Sequence, residues 1–289
     1  MKRALSALLL MIVGVLAAAG AHAAELQVPK QVTAGNAFSI PTTGSGSATF
    51  YLVGPSHSAK RQVKLGSGIE VAEDEIRTSG RYIATLCSSD GCESADFFVA
   101  ATNPAHLSLL VHPSRVRVAT NNAMSAVAFV FDKFHNLVLQ PVPVEFHITV
   151  KDTPAFSKSL NSSNGVAWLH LNSARKEGPA QVVASIQSDS EKRVVQQVAS
   201  DACNLRIRAV RKGKFIAVET EPVRDCSGNS VPDGTVVTFT KVDASGKTTV
   251  DAPVKRGVAK VDMPAQGEAT ISVASGVAMG NEVRIGGTP

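Results

Sequence analysis

Asp132-Lys133-Phe134-His135-Asn136-Leu137-Val138, then Pro141-Val142-Pro143-Val144-Glu145-Phe146, is a stretch the chain writes twice. The second version is Asp225-Cys226-Ser227-Gly228-Asn229-Ser230-Val231, then Val236-Val237-Thr238-Phe239. Asp, Asn, Val, Val and Phe recur 93 positions apart. Each copy is followed by Gly-Val-Ala, at Gly165-Val166-Ala167 and Gly257-Val258-Ala259. Each then closes on Val-Ala-Ser, at Val183-Ala184-Ser185 and Val273-Ala274-Ser275. A period of about 90 residues means two copies of one domain, not a short-repeat solenoid.

Working outward, the pattern inside each copy is that of half-buried strands. Val144, Phe146, Ile148 and Val150 share one face, and Glu145, His147 and Thr149 share the other. Alternation of this kind puts one face on a core and the other in water. After Gly165, the residues Ala167, Leu169 and Leu171 share a face, and Ala259, Val261 and Met263 repeat it. Other short runs rich in β-branched or aromatic residues lie at 49–53, 81–86, 97–99, 126–131, 214–220 and 236–242. Turn clusters such as Gly44-Ser45-Gly46 and Pro232-Asp233-Gly234 separate them. No window sustains a helical period, and Ser190 to Val198, the nearest to one, also fits a polar-faced strand. The expected fold is all-β: three tandem Ig-like antiparallel β-sandwich domains.

The first residues stand apart. Lys2 and Arg3 precede an apolar core from Leu8 to Ala19, and Ala21-His22-Ala23 offers small residues where a signal peptidase reads. Residues 1–23 are expected to be a cleaved signal peptide, too short for a membrane span of about 20 apolar residues. No integral membrane segment is expected elsewhere. The expected domains are then 24–102, 103–198 and 199–289, with short linkers near Asn103-Pro104 and Ser200-Asp201. Without Lys2 and Arg3, 27 basic residues face 24 acidic ones. That balance is ordinary and scattered, whereas nucleic-acid binding wants a basic stripe with aromatic platforms.

Four cysteines in an exported chain suggest two disulfides. Cys87 and Cys92 flank a polar turn, Ser88-Ser89-Asp90-Gly91, and so clip a hairpin. Cys203 and Cys226 lie together in the last segment and tie its first strand to the loop of Asp225. A zinc site wants four ligands grouped closely, and these pairs are far apart in the chain.

The Asp-to-Phe runs resemble the bacterial Ig-like domains of the invasin and intimin type. In that family an Asp-x-x-Gly-Asn turn joins two strands, a Val-x-Phe strand follows, and a Gly-Val-Ala strand comes later. The resemblance covers about residues 107–285. It implies spacer or binding modules of surface adhesins. His135 stands where the family pattern and Gly228 have glycine. Histidine accepts a positive φ less readily than glycine, so the second-domain turn is expected to be distorted. The first domain lacks the pattern and reads as a different sandwich or a diverged copy.

The residues bear on three kinds of chemistry. Hydrolysis needs a nucleophile, a base and an orienter; no serine sits in a Gly-x-Ser-x-Gly elbow and no histidine in a catalytic motif, so no enzyme is expected. Asp132 with Asn136, and Asp225 with Asn229, offer too few oxygens for calcium, which takes six to eight. They suit turns held by side-chain-to-backbone bonds. No metal or cofactor is implied. Trp168 and His170 alternate with core residues and should point outward, as should His147 on its own strand. These three are the partner-binding candidates; the competing reading packs Trp168 under a loop or a neighbouring domain. The expected role is an exported, non-enzymatic protein of adhesion, spacing or partner binding. Its partner would be a protein or glycan at the cell envelope, and the protein would be periplasmic, secreted or at the cell surface. The alternative is a carbohydrate-binding or accessory subunit of an envelope assembly.

Overall fold

A computed structural model of the chain describes residues 25–286 apart from 152, 188 and 265. The expected signal peptide lies outside the described residues. The chain divides between Thr102 and Asn103 into two compact units. Among the described residues, no helix is long and apolar enough to cross a membrane.

The first unit holds β1 (Gln31–Thr33), β2 (Phe38–Ile40), β3 (Ser47–Val53), β4 (Ser58–Lys64), β5 (Ile69–Val71), β6 (Gly80–Ser88) and β7 (Gly91–Ala100). One sheet has the order β1-β7-β6-β3-β4, and β2 pairs with β5. Phe50, Tyr82 and Phe97 fill the space between them and are almost completely buried. Cys87 and Cys92 face each other across the β6–β7 hairpin and are joined by a disulfide.

The second unit contains two sandwiches. The first has β8 (Pro104–His112), β9 (Arg115–Arg117), β10 (Met124–Asp132), β11 (Pro143–Val150), β12 (Phe156–Asn161), β13 (Val166–Leu171), β14 (Gly178–Ser185) and β15 (Ser190–Val198). Its sheets are β13-β10-β8 and β12-β11-β14-β15-β9. The second has β16 (Ala202–Asn204), β17 (Ile207–Lys212), β18 (Phe215–Thr220), β19 (Arg224–Asp225), β20 (Val236–Asp243), β21 (Gly246–Pro253), β22 (Lys260–Pro264), β23 (Ala269–Ser275), β24 (Ala278–Met279) and β25 (Val283–Ile285). The β17-β18-β22 sheet faces the sheet built on β21-β20-β23, and β16 pairs with β19. Cys203 is joined to Cys226 at that pairing.

Alternation becomes burial. Val144, Phe146 and Ile148 lie inside, as do Ala167, Leu169 and Leu171. Fully burying a side chain of this size is worth roughly 1.5–3 kcal/mol, and a one-residue slip would turn all of them to water. Ser190 to Val198, which hovered between periods, is a strand. Gly-Val-Ala repeats because it closes a two-residue hairpin. Asn164 and Gly165, and likewise Arg256 and Gly257, both have positive φ, the geometry a type I′ turn demands. Two short ladders depart from the antiparallel expectation: β1 runs parallel to β7, and β9 parallel to β15.

Those parallel ladders also relate the first domain to the second. Its order β4-β3-β6-β7-β1 and the order β12-β11-β14-β15-β9 match strand for strand, each ending in a three-residue parallel edge. The first domain thus shares the strand order of one sheet with the second, while its other sheet is the two-stranded β2-β5.

Candidate functional site

The outward side of the β13-β10-β8 sheet carries rows of side chains running across the three strands. In the middle row Trp168 lies beside Val127, and Val127 beside Leu110. Trp168 is 58% exposed and Leu110 56%. In the next row His170 lies beside Ser125, and Ser125 beside His112. Ser125 Oγ and His170 Nδ1 share a hydrogen bond of 3.0 Å. The Trp168 and His170 rings meet edge to face, 5.3 Å apart at 76°. On the other side of the Trp168 row stand Val166, Phe129 and Ser108. None of these nine side chains is Asp, Glu, Lys or Arg.

The third domain supplies an internal control. Its Gly-Val-Ala hairpin puts Lys260 at the place of Trp168. Lys260 lies beside Glu219, and Glu219 beside Arg208. Thus Trp168–Val127–Leu110 stands where the sister module has Lys260–Glu219–Arg208. The Lys260 ammonium and the Glu219 carboxylate are 2.9 Å apart. Charged cross-strand rows of that kind are an ordinary solvated sheet surface. At the same register the second domain has an apolar row and the third a charged one.

The structure brings Trp168 and His170 together but not His147. His147 lies on β11, in the opposite sheet, and its Nδ1 shares a 2.7 Å hydrogen bond with Ser157 Oγ on the edge strand β12. Outward faces of two facing sheets look in opposite directions, so His147 does not belong to the Trp168 face. Alternation along one strand gives in or out but says nothing about which sheet the strand joins.

The residues the sequence reading missed are Leu110 and Val127, with Phe129 beside them. A signal was present. Val127-Ala128-Phe129-Val130-Phe131 is apolar at both parities, so both faces of that strand had to be apolar. The β8 edge of the same sheet is capped. The β8 amides of Leu107 and Leu109 donate to the Asp189 and Glu191 carboxylates at 2.9 and 2.8 Å. Capping by acidic side chains removes the donors that an added strand would use.

The repeated Asp and Asn have a different task. Asp132 Oδ1 accepts the Phe134 and Asn136 amides, and Asp225 Oδ1 accepts those of Ser227 and Asn229. His135 takes φ +64° where Gly228 takes +86°. The expected distortion of the His135 turn does not occur: both turns close with the same backbone bonds, 3.0 Å from residue 135 or 228 to its aspartate carbonyl and 2.9 Å from that aspartate amide to its asparagine carbonyl. The Asp132 carboxylate organises the backbone firmly enough for a histidine to occupy the glycine position.

In the third domain this turn also grips its neighbour. Asn229 Nδ2 donates to the Arg175 carbonyl at 2.7 Å, and its Oδ1 accepts the Glu177 amide at 3.2 Å. Asp225 Oδ2 accepts the Ser200 amide in the linker at 3.0 Å. Asp201 pairs with Arg117 of the second domain at 2.6 Å. Burial works against the Asp225 carboxylate, but the bonds from Asn229, Ser200 and Ser227 outweigh it and hold its pKa below the usual range.

Two solved structures are similar over most of the chain. FdeC, an adhesin of Escherichia coli, matches with a TM-score of 0.57 and 14% identity over 86% of this chain and 90% of that one. The stretch covered is longer than the two repeated modules together, so the likeness reaches into the first domain. The fold is that of the invasin-type Ig-like domains. Invasin itself, a bacterial integrin-binding protein, matches with a TM-score of 0.50 and 11% identity over 92% of this chain. The match spans 60% of the invasin chain. No protein-family model matches the sequence, and no curated protein matches it.

Proposed function

We propose that this is an exported, non-enzymatic adhesion protein. Its Ig-like modules hold one binding face, the outward side of β8, β10 and β13 in the second domain. The observation that carries this is the replacement of the Lys260–Glu219–Arg208 row by Trp168–Val127–Leu110 at one register of two copies. Apolar area in water opposes solubility without helping the fold, and an aromatic anchor with aliphatic neighbours is what binding surfaces use. The likeness to FdeC and invasin, both surface-binding proteins by name, supports the adhesion reading. Two disulfides fit an oxidising compartment outside the cytoplasm, and the expected signal peptide gives the route there. We read the chain as the domains 24–102, 103–198 and 199–289, a reading supported by the unit boundary after Thr102.

Adhesion of protein-coated beads to cultured epithelial cells and to purified bacterial envelopes tests this reading. Wild-type beads should bind at least one of these surfaces, Trp168→Lys should lose most of that binding, and Lys260→Ala should keep it. Wild-type beads that bind neither surface, or a Trp168→Lys protein that adheres as well as wild type, contradict it.

A further inference from the structure

We infer that the occupant of the Trp168 face is a neutral saccharide, one of whose rings stacks on the indole of Trp168. The inference rests on the binding-face reading above and adds the chemistry of the ligand. Three properties of the face point the same way.

The first is size. Strands lie about 4.8 Å apart and alternate residues about 6.8 Å apart along a strand, so three rows across three strands cover on the order of 200 Å². A stable protein partner needs about 800 Å² on each side. The β8 edge beside the face cannot extend it by strand addition, since Asp189 and Glu191 already take the Leu107 and Leu109 amides. A ligand the width of one or two sugar rings fits the area available.

The second is charge. Ser108, Leu110, His112, Ser125, Val127, Phe129, Val166, Trp168 and His170 include no carboxylate, ammonium or guanidinium. Phosphate, sulfate and carboxylate groups are held by fixed cations in a fork or cluster, and none is present here. Basic peptides would want carboxylates, and none is present either. The ligand this surface recognises carries no charge of its own.

The third is the order of polar and apolar groups. A pyranose has an apolar face of C–H bonds and a rim of hydroxyls. Trp168 offers a flat, exposed ring with Val127 and Leu110 extending it. The His170 ring, edge to face with the indole, fixes its tilt. Alongside runs a row of donors and acceptors: His112, Ser125 and His170. The bond from Ser125 occupies Nδ1 of His170 and leaves Nε2 for a hydroxyl. A stacking platform bordered by neutral hydrogen-bonding groups matches the two surfaces of a sugar.

The chain has a built-in reporter, because Trp168 is its single tryptophan. Emission of the full-length mature protein is titrated with cello-, chito-, malto-, manno- and galacto-oligosaccharides, and with sialyllactose and hyaluronan fragments as anionic probes. At least one neutral series should shift the emission and saturate. By calorimetry Trp168→Phe should retain weakened binding, and Trp168→Lys should lose about thirtyfold or more in affinity, with circular dichroism unchanged. Binding of the anionic probes alone overturns the inference. So does silence of all the sugars while bead adhesion remains dependent on Trp168 and survives periodate oxidation of the target surface; the ligand is then a protein, and the face reading stands. Adhesion indifferent to Trp168→Lys brings down the face reading as well.

Discussion

Trp168 faces Val127 where, at the same register of the next module, Lys260 faces and pairs with Glu219. The pair of positions is a substitution experiment already present in the chain. One copy carries a charged row there and the other an apolar one.

Rebuilding the charged row in the second domain therefore should not harm the fold. The double variant Trp168→Lys with Val127→Glu is expected to unfold within about 0.5 kcal/mol of wild type, as surface changes usually do. Urea melts followed by circular dichroism give the value. A loss of several kcal/mol would make Trp168 a structural residue.

The two core phenylalanines should act locally. Phe146 and Phe239 are completely buried at equivalent places in their modules. Truncating either to alanine should cost its own sandwich about 3–5 kcal/mol. Calorimetry of the whole mature protein should show one transition displaced and the first unit's unmoved. A single endotherm displaced as a whole by either variant contradicts independent modules.

Asn229 ties the third domain to the loop of Arg175 and Glu177. Removing the carboxamide in Asn229→Ala loses both bonds, at about 1 kcal/mol each, together with its bond to the Asp225 carboxylate, and should free that loop. Trypsin should then cut after Arg175 or Lys176 several times faster, while the disulfide-bound third domain stays folded. An unchanged cleavage rate would mean that the linker bonds of Ser200 and Asp201 suffice.

The disulfides should differ in worth. Cys203–Cys226 closes 23 residues and Cys87–Cys92 only 5. On the chain-entropy account the longer loop is worth about 3 kcal/mol and the shorter one less. Serine pairs at 203 and 226 should lower the thermal midpoint more than serine pairs at 87 and 92. The reverse order would refute that account for this protein.

A buried ion pair makes the third domain sensitive to acid. Lys241 is inside the sandwich, where the second domain has Ile148, and its ammonium binds Asp243 at 2.5 Å and the Pro264 carbonyl at 2.8 Å. Hydrogen bonds from Lys241 first, and then from Ser245, hold the Asp243 pKa at about 2, below its ordinary 3.8. A depressed folded-state pKa stabilises the fold above the ordinary value, and this contribution is lost as pH falls from about 4 through about 2. Replacing both partners, Lys241→Met together with Asp243→Ala, should be tolerated, as apolar replacements of buried ion pairs often are, whereas Lys241→Met alone would leave the Asp243 carboxylate without its cation. The double variant should flatten the pH dependence of the denaturation midpoint over that window. Parallel profiles for the two proteins would show that the pair does not titrate with folding.

The sequence by itself determined the module, its copies and the inside of each strand. Repeats, period-two alternation, turn residues and cysteine spacing are local, and each was enough to give strands, hairpins and disulfide partners. It also determined that Trp168 and His170 point outward. Only the tertiary structure decided which sheet each strand joins. That choice separated His147 from Trp168, aligned Leu110 and Val127 with the indole from 58 and 41 positions away, and gave one sheet of the first domain the strand order of the second. Asn229 followed the same rule: its turn was legible, but its grip on Arg175 and Glu177 was not. Strand pairing is a contact between residues distant in the chain, fixed by the packing of two whole faces, and no short window of sequence contains both partners.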